Sequence, residues 1–202
     1  MLRDQAITGF ILAGGASKRM GRDKAWLPIG GQPMIERVIE RLRPWVDRLA
    51  IIGTLSSRSR FQALPVDDVV TDLVPGRGPL MGIYTGLMAS DTPLNLFIAC
   101  DMPHLEPRLL ERLVRSYHDG IRVIASRSPD GALQPLPLLG HLSATRAVGA
   151  LLNQGQAAVQ ALCCLPGASV VTTESVSEMR AFTNVNRPSD YDGACHDLAD
   201  SS

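Results

Sequence analysis

Short apolar, β-branched runs alternate with longer stretches of helical period along this chain, a pattern that a largely parallel sheet covered by helices on both faces satisfies. The first run, residues 7–12, ends in Ala13-Gly14-Gly15 and reads as a buried strand emptying into a loop. Pro33 then opens a helix in which Met34, Ile35, Val38, Ile39 and Leu42 share one face, while Glu36, Arg37, Glu40 and Arg41 face water. Further strands are predicted over 49–52, 69–71, 95–99 and 121–125, with a weaker one over 137–139 and a last one over 170–172. Helices are predicted near 80–89, 107–117 and 143–153. The reading is α/β, a single three-layer α/β/α domain spanning 1–202, with an ordered core of about 6–191. Asn184-Val185-Asn186-Arg187-Pro188 reads as a turn, and the polar segment from about Asp192 is expected to fray.

Composition removes several classes of function. With 20 basic and 20 acidic side chains in 202 residues and no Lys/Arg block, the chain lacks the footprint of a general nucleic-acid binder. Cys100, Cys163, Cys164 and Cys195 form no CxxC pair and lie near no His cluster, so neither a zinc knuckle nor a thioredoxin-type site is indicated. This cysteine usage and an N-terminus without signal-peptide character predict a cytoplasmic protein. No apolar run approaches the roughly 20 residues that span a bilayer.

In open α/β sheets ligands bind outside the carboxyl ends of the strands, and three loops with suitable chemistry follow strands here. The first runs from Leu12 to Lys24: small residues let backbone N–H groups approach an anion, and Lys18, Arg19, Arg22 and Lys24 offset its charge. It reads either as a polyphosphate site or as a glycine-rich turn with a solvated basic face. A Walker loop fails on spacing, because Gly9 and Gly14 lead into Gly15 and Ala16 rather than Gly-Lys-Ser/Thr. A dinucleotide fingerprint fails as well, since Gly76-Arg77-Gly78 is followed by Pro79-Leu80-Met81 before Gly82. In the second loop Asp72 stands directly after a strand, either accepting hydrogen bonds from a guanine edge or capping a turn. The third puts Asp101 at the end of the most hydrophobic strand, where a carboxylate is costly unless it meets a cation or several donors; this favours a metal-ligand role.

Together these loops resemble the molybdenum cofactor guanylyltransferases, within the GT-A-like nucleotidyltransferases, a nucleotide-diphospho-sugar-transferase-like fold. The resemblance rests on Leu12-Ala13-Gly14-Gly15 followed by Arg19-Met20-Gly21 and Asp23-Lys24, on Gly78-Pro79-Leu80 with Gly82, on Asp101-Met102-Pro103, and on Asn184-Val185-Asn186, in that order. It implies transfer of GMP from GTP to the terminal phosphate of a molybdopterin-type cofactor, with Mg²⁺ as the metal, and molybdoenzymes or cofactor-delivery proteins as further partners. By the same resemblance Leu12, Ala13 and Gly14 line the nucleotide, Gly15, Arg19 and Lys24 meet the triphosphate, Asp72 meets guanine and Asp101 holds the Mg²⁺. Lys24, Arg19 and Asp101 are thus the implied catalytic residues, and Asn184 and Asn186 sit near the metal and the acceptor phosphate. From spacing alone, that asparagine pair reads equally as a turn before Pro188.

Two positions depart from the family pattern. Gly53 stands where a polar Asn often follows the second strand, and Arg187 interrupts the usual Asn-Thr-Pro ending. Acceptor contacts are not singled out by any spacing, although Arg127, Asp130 and Gln134 are polar positions that follow a strand. His104 and His118 need no catalytic role, because an ionised acceptor phosphate requires no general base. The principal rival is a CTP-dependent cytidylyltransferase acting on molybdopterin or on a sugar or alcohol phosphate. Its first loop more often reads Leu-Ala-Ala-Gly, against Gly14 here. A non-catalytic nucleotide-binding domain is the other rival, and the retention of both Lys24 and Asp101 argues against it.

Overall fold

The computed structural model describes residues 5–14, 23–173 and 179–199. Its centre is a seven-stranded sheet made of β1 (Ile7–Leu12), β4 (Arg48–Gly53), β5 (Asp68–Thr71), β6 (Leu94–Ala99), β7 (Val123–Arg127), β8 (Leu133–His141) and β9 (Ala168–Thr172). The spatial order is β5-β4-β1-β6-β8-β7-β9. All pairings are parallel except those of β8, which runs antiparallel to both β6 and β7. A small hairpin, β2 (Pro28–Ile29) with β3 (Gln32–Pro33), stands apart from this sheet.

Strand alternation divides the core in two. Ile7 and Ile11 of β1, Leu49 and Ile51 of β4, and Leu94, Leu96 and Ile98 of β6 meet α1 (Met34–Leu42) and α4 (Pro107–Arg115) on one face. Phe10, Ala50, Ile52 and Phe97 meet α3 (Pro79–Ala89) and α5 (Thr145–Asn153) on the other. The predicted α1 face, Met34, Ile35, Val38, Ile39 and Leu42, is buried throughout; each such side chain contributes about 1.5–3 kcal/mol by leaving water. The three-layer α/β/α reading of the sequence therefore holds.

Three details differ from the sequence-based expectation. The strand predicted over 137–139 is the nine-residue β8, masked in the sequence by Pro135 and Pro137. Its pairing with β7 shifts register between Ile124↔Leu139 and Ser126↔Gln134, and both prolines lie in that irregular stretch, where a missing N–H interrupts no ladder bond. β7 starts two residues later than predicted, because the Ile121 N–H is taken by the turn carbonyl of His118.

The segment from Asp192 is helical as far as residue 199: α6 (Pro188–Ala199) runs through it. Pro188 opens this helix, and the Asp190 carboxylate accepts from the backbone N–H groups of Asn186 (3.0 Å) and Arg187 (2.8 Å). Those two donors hold the Asp190 carboxyl below the usual carboxylate range. Ala194, with Tyr191 and Cys195, packs on Ile29, Met34 and Val185, and the Tyr191 hydroxyl donates to the Pro28 carbonyl. Among the described residues no helix is long and apolar enough to cross a membrane.

Candidate active site

The chain runs from β1 outward to β4 and β5, then returns to β6 on the opposite side of β1. A crevice opens at such a reversal, beyond the carboxyl ends of the strands. Register brings the ends level: Leu12 pairs with both Ile52 and Ala99, and Gly53 with Thr71. Backbone bonds carry this order one residue further, from Ala13 N–H to Ile52 O (2.8 Å), Asp72 N–H to Gly53 O (2.8 Å) and Cys100 N–H to Leu12 O (3.2 Å).

A cleft of about 490 Å³ lies there. Leu12 and Gly14 of the first loop line it, with Ile52, Asp72, Gly76 and Gly78 of the neighbouring segments and Pro79 and Gly82 of the first turns of α3. Lys24, Ala99, Cys100, Asp101, Leu136, Asn184 and Asn186 complete the wall. Residues as distant as Leu12 and Asn186 thus share one surface.

Asp101 is 5% exposed, and the Lys24 ammonium donates to its Oδ2 as an ion pair. The same ammonium donates to Asn186 Oδ1 at 3.1 Å. The Asp101 carbonyl accepts the Val185 N–H at 3.0 Å, and Val185 is wholly buried beneath α6, so the Asn184–Asn186 segment is fastened to the strand end that carries the acid. Asp101 Oδ1 is buried with no hydrogen-bond partner among the described residues. Such an orphaned carboxylate oxygen at a cleft is a position that a cation satisfies. No group of three His, Cys, Asp or Glu side chains capable of holding a metal occurs among the described residues. Cys100, though it lines the cleft, is no nucleophile: burial, reinforced by the adjacent Asp101 charge, pushes its thiol up to about 12.

Asp72 is 8% exposed and held by its neighbours. Thr85 Oγ1 donates to its Oδ1 at 3.2 Å, and the Val74 N–H reaches the same oxygen at 3.3 Å. Its Oδ2 faces Gly14, where a Cβ would stand 3.4 Å away. The loop that follows turns on Gly76 and Gly78, both at positive φ (82° and 87°). It is anchored on the far side, where the Arg77 guanidinium donates to Leu152 O at 2.6 Å and the Leu80 N–H to Ala157 O at 3.3 Å.

Of the residues expected from the sequence, the structure brings Leu12, Gly14, Lys24, Asp72, Asp101, Asn184 and Asn186 into one cleft. Ala13 does not line it; its side chain packs with the opposite core, and its N–H bonds Ile52. Gly15 and Arg19 lie outside the described residues. Arg127, Asp130 and Gln134 close the β7–β8 turn instead of lining the cleft: Arg127 donates to Gly131 O at 2.7 Å, while Ser128 donates to Asp130 and accepts from Gln134. Arg187 is exposed and His118 binds the neighbouring Asp119 carbonyl through its ring. Thr85 was missed by sequence reasoning, although a threonine in a helix whose other residues are apolar, Gly or Tyr84 was the available signal.

At Gly53 the departure from the family pattern has a steric cause. A Cβ there would stand 2.8 Å from Phe61 Cε2 and 2.9 Å from Ser57 Oγ, so the Phe61 ring fills the space that a side chain would need.

Comparison with known proteins agrees with this geometry. The family model for the MobA-like NTP transferase domain matches residues 9–164. The chain is 32% identical over 189 residues to the molybdenum cofactor guanylyltransferase of Yersinia pestis strain Pestoides F, covering 92% of this chain and 93% of that one. It is 36% identical over 141 residues to a probable molybdenum cofactor guanylyltransferase of Flavobacterium johnsoniae, covering 69% and 70%. The crystal structure of molybdopterin-guanine dinucleotide biosynthesis protein A from Archaeoglobus fulgidus superposes with a TM-score of 0.81 at 21% identity, over 96% of this chain and 99% of that one. Strand order, cleft and sequence together place this chain in the MobA-like NTP transferase family, and it is a nucleotidyltransferase.

Proposed function

We propose that the protein transfers GMP from GTP to the terminal phosphate of a molybdopterin-type cofactor, releasing pyrophosphate. The observation that carries the base assignment is the second carboxylate of the cleft, Asp72, whose Oδ1 is fixed by Thr85 and Val74 and whose Oδ2 is turned toward Gly14. Guanine presents N1–H and N2–H₂ side by side, and an ionised carboxylate only accepts. Because Oδ1 is engaged, Oδ2 is the oxygen left to receive that donor edge. Cytosine would set two acceptors against the same negative charge.

In the reaction, an acceptor phosphate oxygen attacks the α-phosphorus in line, the new P–O bond forms, and the bond to the β-phosphate oxygen breaks with its electron pair leaving on pyrophosphate. A phosphate monoester is already ionised near neutrality, so no side chain need remove a proton. The protein's contribution is positioning and charge neutralisation. Lys24 supplies a cation at the phosphates, held from one side by Asn186. Asn184, beside it on the cleft wall, is assigned to the acceptor phosphate.

The donor set suits Mg²⁺, which is commonly held by one or two carboxylates together with substrate phosphates; Asp101, through its unpartnered Oδ1, is the residue that would hold it. Bound there, the ion supplies Lewis-acid polarisation of the phosphoryl oxygens.

Competition titration tests the base assignment. GTP should displace a labelled guanine nucleotide more effectively than CTP by over about tenfold, since a hydrogen-bonding pocket is left unpaired by the wrong base. Asp72→Ala should erode this preference and leave pyrophosphate affinity nearly unchanged. Equal binding of CTP and GTP by the unaltered protein would transfer the assignment to a cytidylyltransferase and reduce Asp72 to a turn residue.

A further inference from the structure

The turn that carries Lys24 is gripped from outside the cleft. Residues Lys24–Trp26 form one turn of 3₁₀ helix, closed by the Leu27 N–H to the Lys24 carbonyl (3.1 Å) and capped by Asp23, whose carboxylate accepts the Ala25 N–H (3.3 Å). Trp26, two residues after Lys24, stacks on Phe61 of α2 (Arg58–Phe61), with centroids 6.0 Å apart and planes at 12°. The Arg60 guanidinium lies 4.3 Å from the Trp26 ring centroid and 3.6 Å from the Asp23 carboxylate. Phe61 in turn occupies the place kept open by Gly53. Ring contacts to Phe61 and Arg60 hold this side chain.

We propose that Trp26 is a positioning residue for Lys24: the Phe61 and Arg60 contacts fix the turn so that the ammonium reaches the triphosphate, and Gly53 is required because it leaves room for that stack. The inference rests on the reading of Lys24 as a triphosphate contact. Its physical content is that one rigid three-residue turn links an aromatic stack on one side to an ammonium on the other. Displacement of the ring is therefore transmitted to Lys24, while Asp72 and the α3 loop, built on separate segments, are left in place.

Titration calorimetry with GTP and with GMP separates the possibilities. Lys24→Ala should weaken GTP by about tenfold or more relative to GMP, the scale of a charge-assisted hydrogen bond. Trp26→Leu should reproduce that selective loss by at least about threefold, Trp26→Phe should restore the GTP to GMP ratio because it keeps the stack, and Trp26→Leu added to Lys24→Ala should produce no further selective loss. Arg60→Ala, a change at an exposed side chain that leaves the core intact, should act in the same direction if Trp26→Leu fails to fold. Equal weakening of both nucleotides by Trp26→Leu and Arg60→Ala, with Lys24→Ala selective, would overturn the positioning role alone. Equal weakening by Lys24→Ala would overturn the reading of Lys24 itself.

Discussion

Asp101→Asn should lower turnover at saturating substrates by at least ~10²-fold, the loss that follows removal of a major electrostatic element from a preorganised site. The substitution keeps the shape of the side chain and removes its charge. Asp101 is 5% exposed and paired with Lys24, and its second oxygen is buried without a partner among the described residues. A neutral amide there cannot serve a cation as a carboxylate does, and its NH₂ group would confront the ammonium or the orphaned position. Truncating one partner of a buried pair also destabilises. Here Asn186 retains a hydrogen bond to Lys24, so the urea midpoint of the variant, measured in parallel, should move far less than the activity. Near-normal Mg²⁺-dependent turnover in Asp101→Asn would remove Asp101 from the chemistry.

Phe97→Ala should cost about 3–5 kcal/mol, a large share of the roughly 5–15 kcal/mol that holds a domain together. The ring is fully buried at the centre of β6 and stacked on Phe10, with centroids 5.3 Å apart. It also fills the space that glycines leave: a Cβ at Gly86 of α3 would stand 2.6 Å from it and one at Gly140 of β8 3.4 Å. With no side chain on either neighbour to move in, the site cannot collapse and the cavity term is felt in full. The relation has a sign test. Gly86→Ala should destabilise the unaltered protein by about 1–3 kcal/mol through overpacking, yet stabilise the Phe97→Ala variant by refilling its cavity. Urea unfolding of the four proteins measures both; a loss below about 1.5 kcal/mol for Phe97→Ala would mean that α3 settles into the gap.

The sequence was most legible where one period ruled a segment. The buried face of α1 was readable residue by residue, because a single hydrophobic repeat decides which side chains face inward, and β1 and β6 were readable as continuous apolar runs because both of their faces are buried. β8 was obscured because its prolines stand where the ladder is already interrupted, a fact of register that no local pattern records. α6 was obscured by its polarity: it is held by a short seam on the β2–β3 hairpin and by the Asp190 cap, both of which involve partners elsewhere in the chain or outside the periodic run.

Within the candidate site, Lys24 and Asp101 stood out by their residue types and Asn186 by the resemblance alone, and the meeting of residues 24 and 186 involves chain ends that no local pattern joins. The position of Ala13 depends on which core its side chain joins. Leu12 lines the cleft and packs with the α3 core, whereas the Ala13 side chain packs with the opposite core. The filling of Gly53 by Phe61 was beyond reach, since it needs the path of the chain between β4 and β5.

The docking of α6 at the edge of the fold bears on how the protein fails. Among the described residues four buried side chains, Ile29, Met34, Val185 and Ala194, form that seam, whereas the sheet is clasped by two large cores. Amide protons of α6 should therefore exchange through a local opening at lower free energy than those of β1 or β6. Each such opening would uncover Val185 and leave the strap that carries Asn186 to the ammonium of Lys24 held by its bond to the Asp101 carbonyl, while the sheet endures. On gentle warming, activity should accordingly be lost in molecules whose sheet is still intact, so that heat inactivation precedes the cooperative melt followed by circular dichroism.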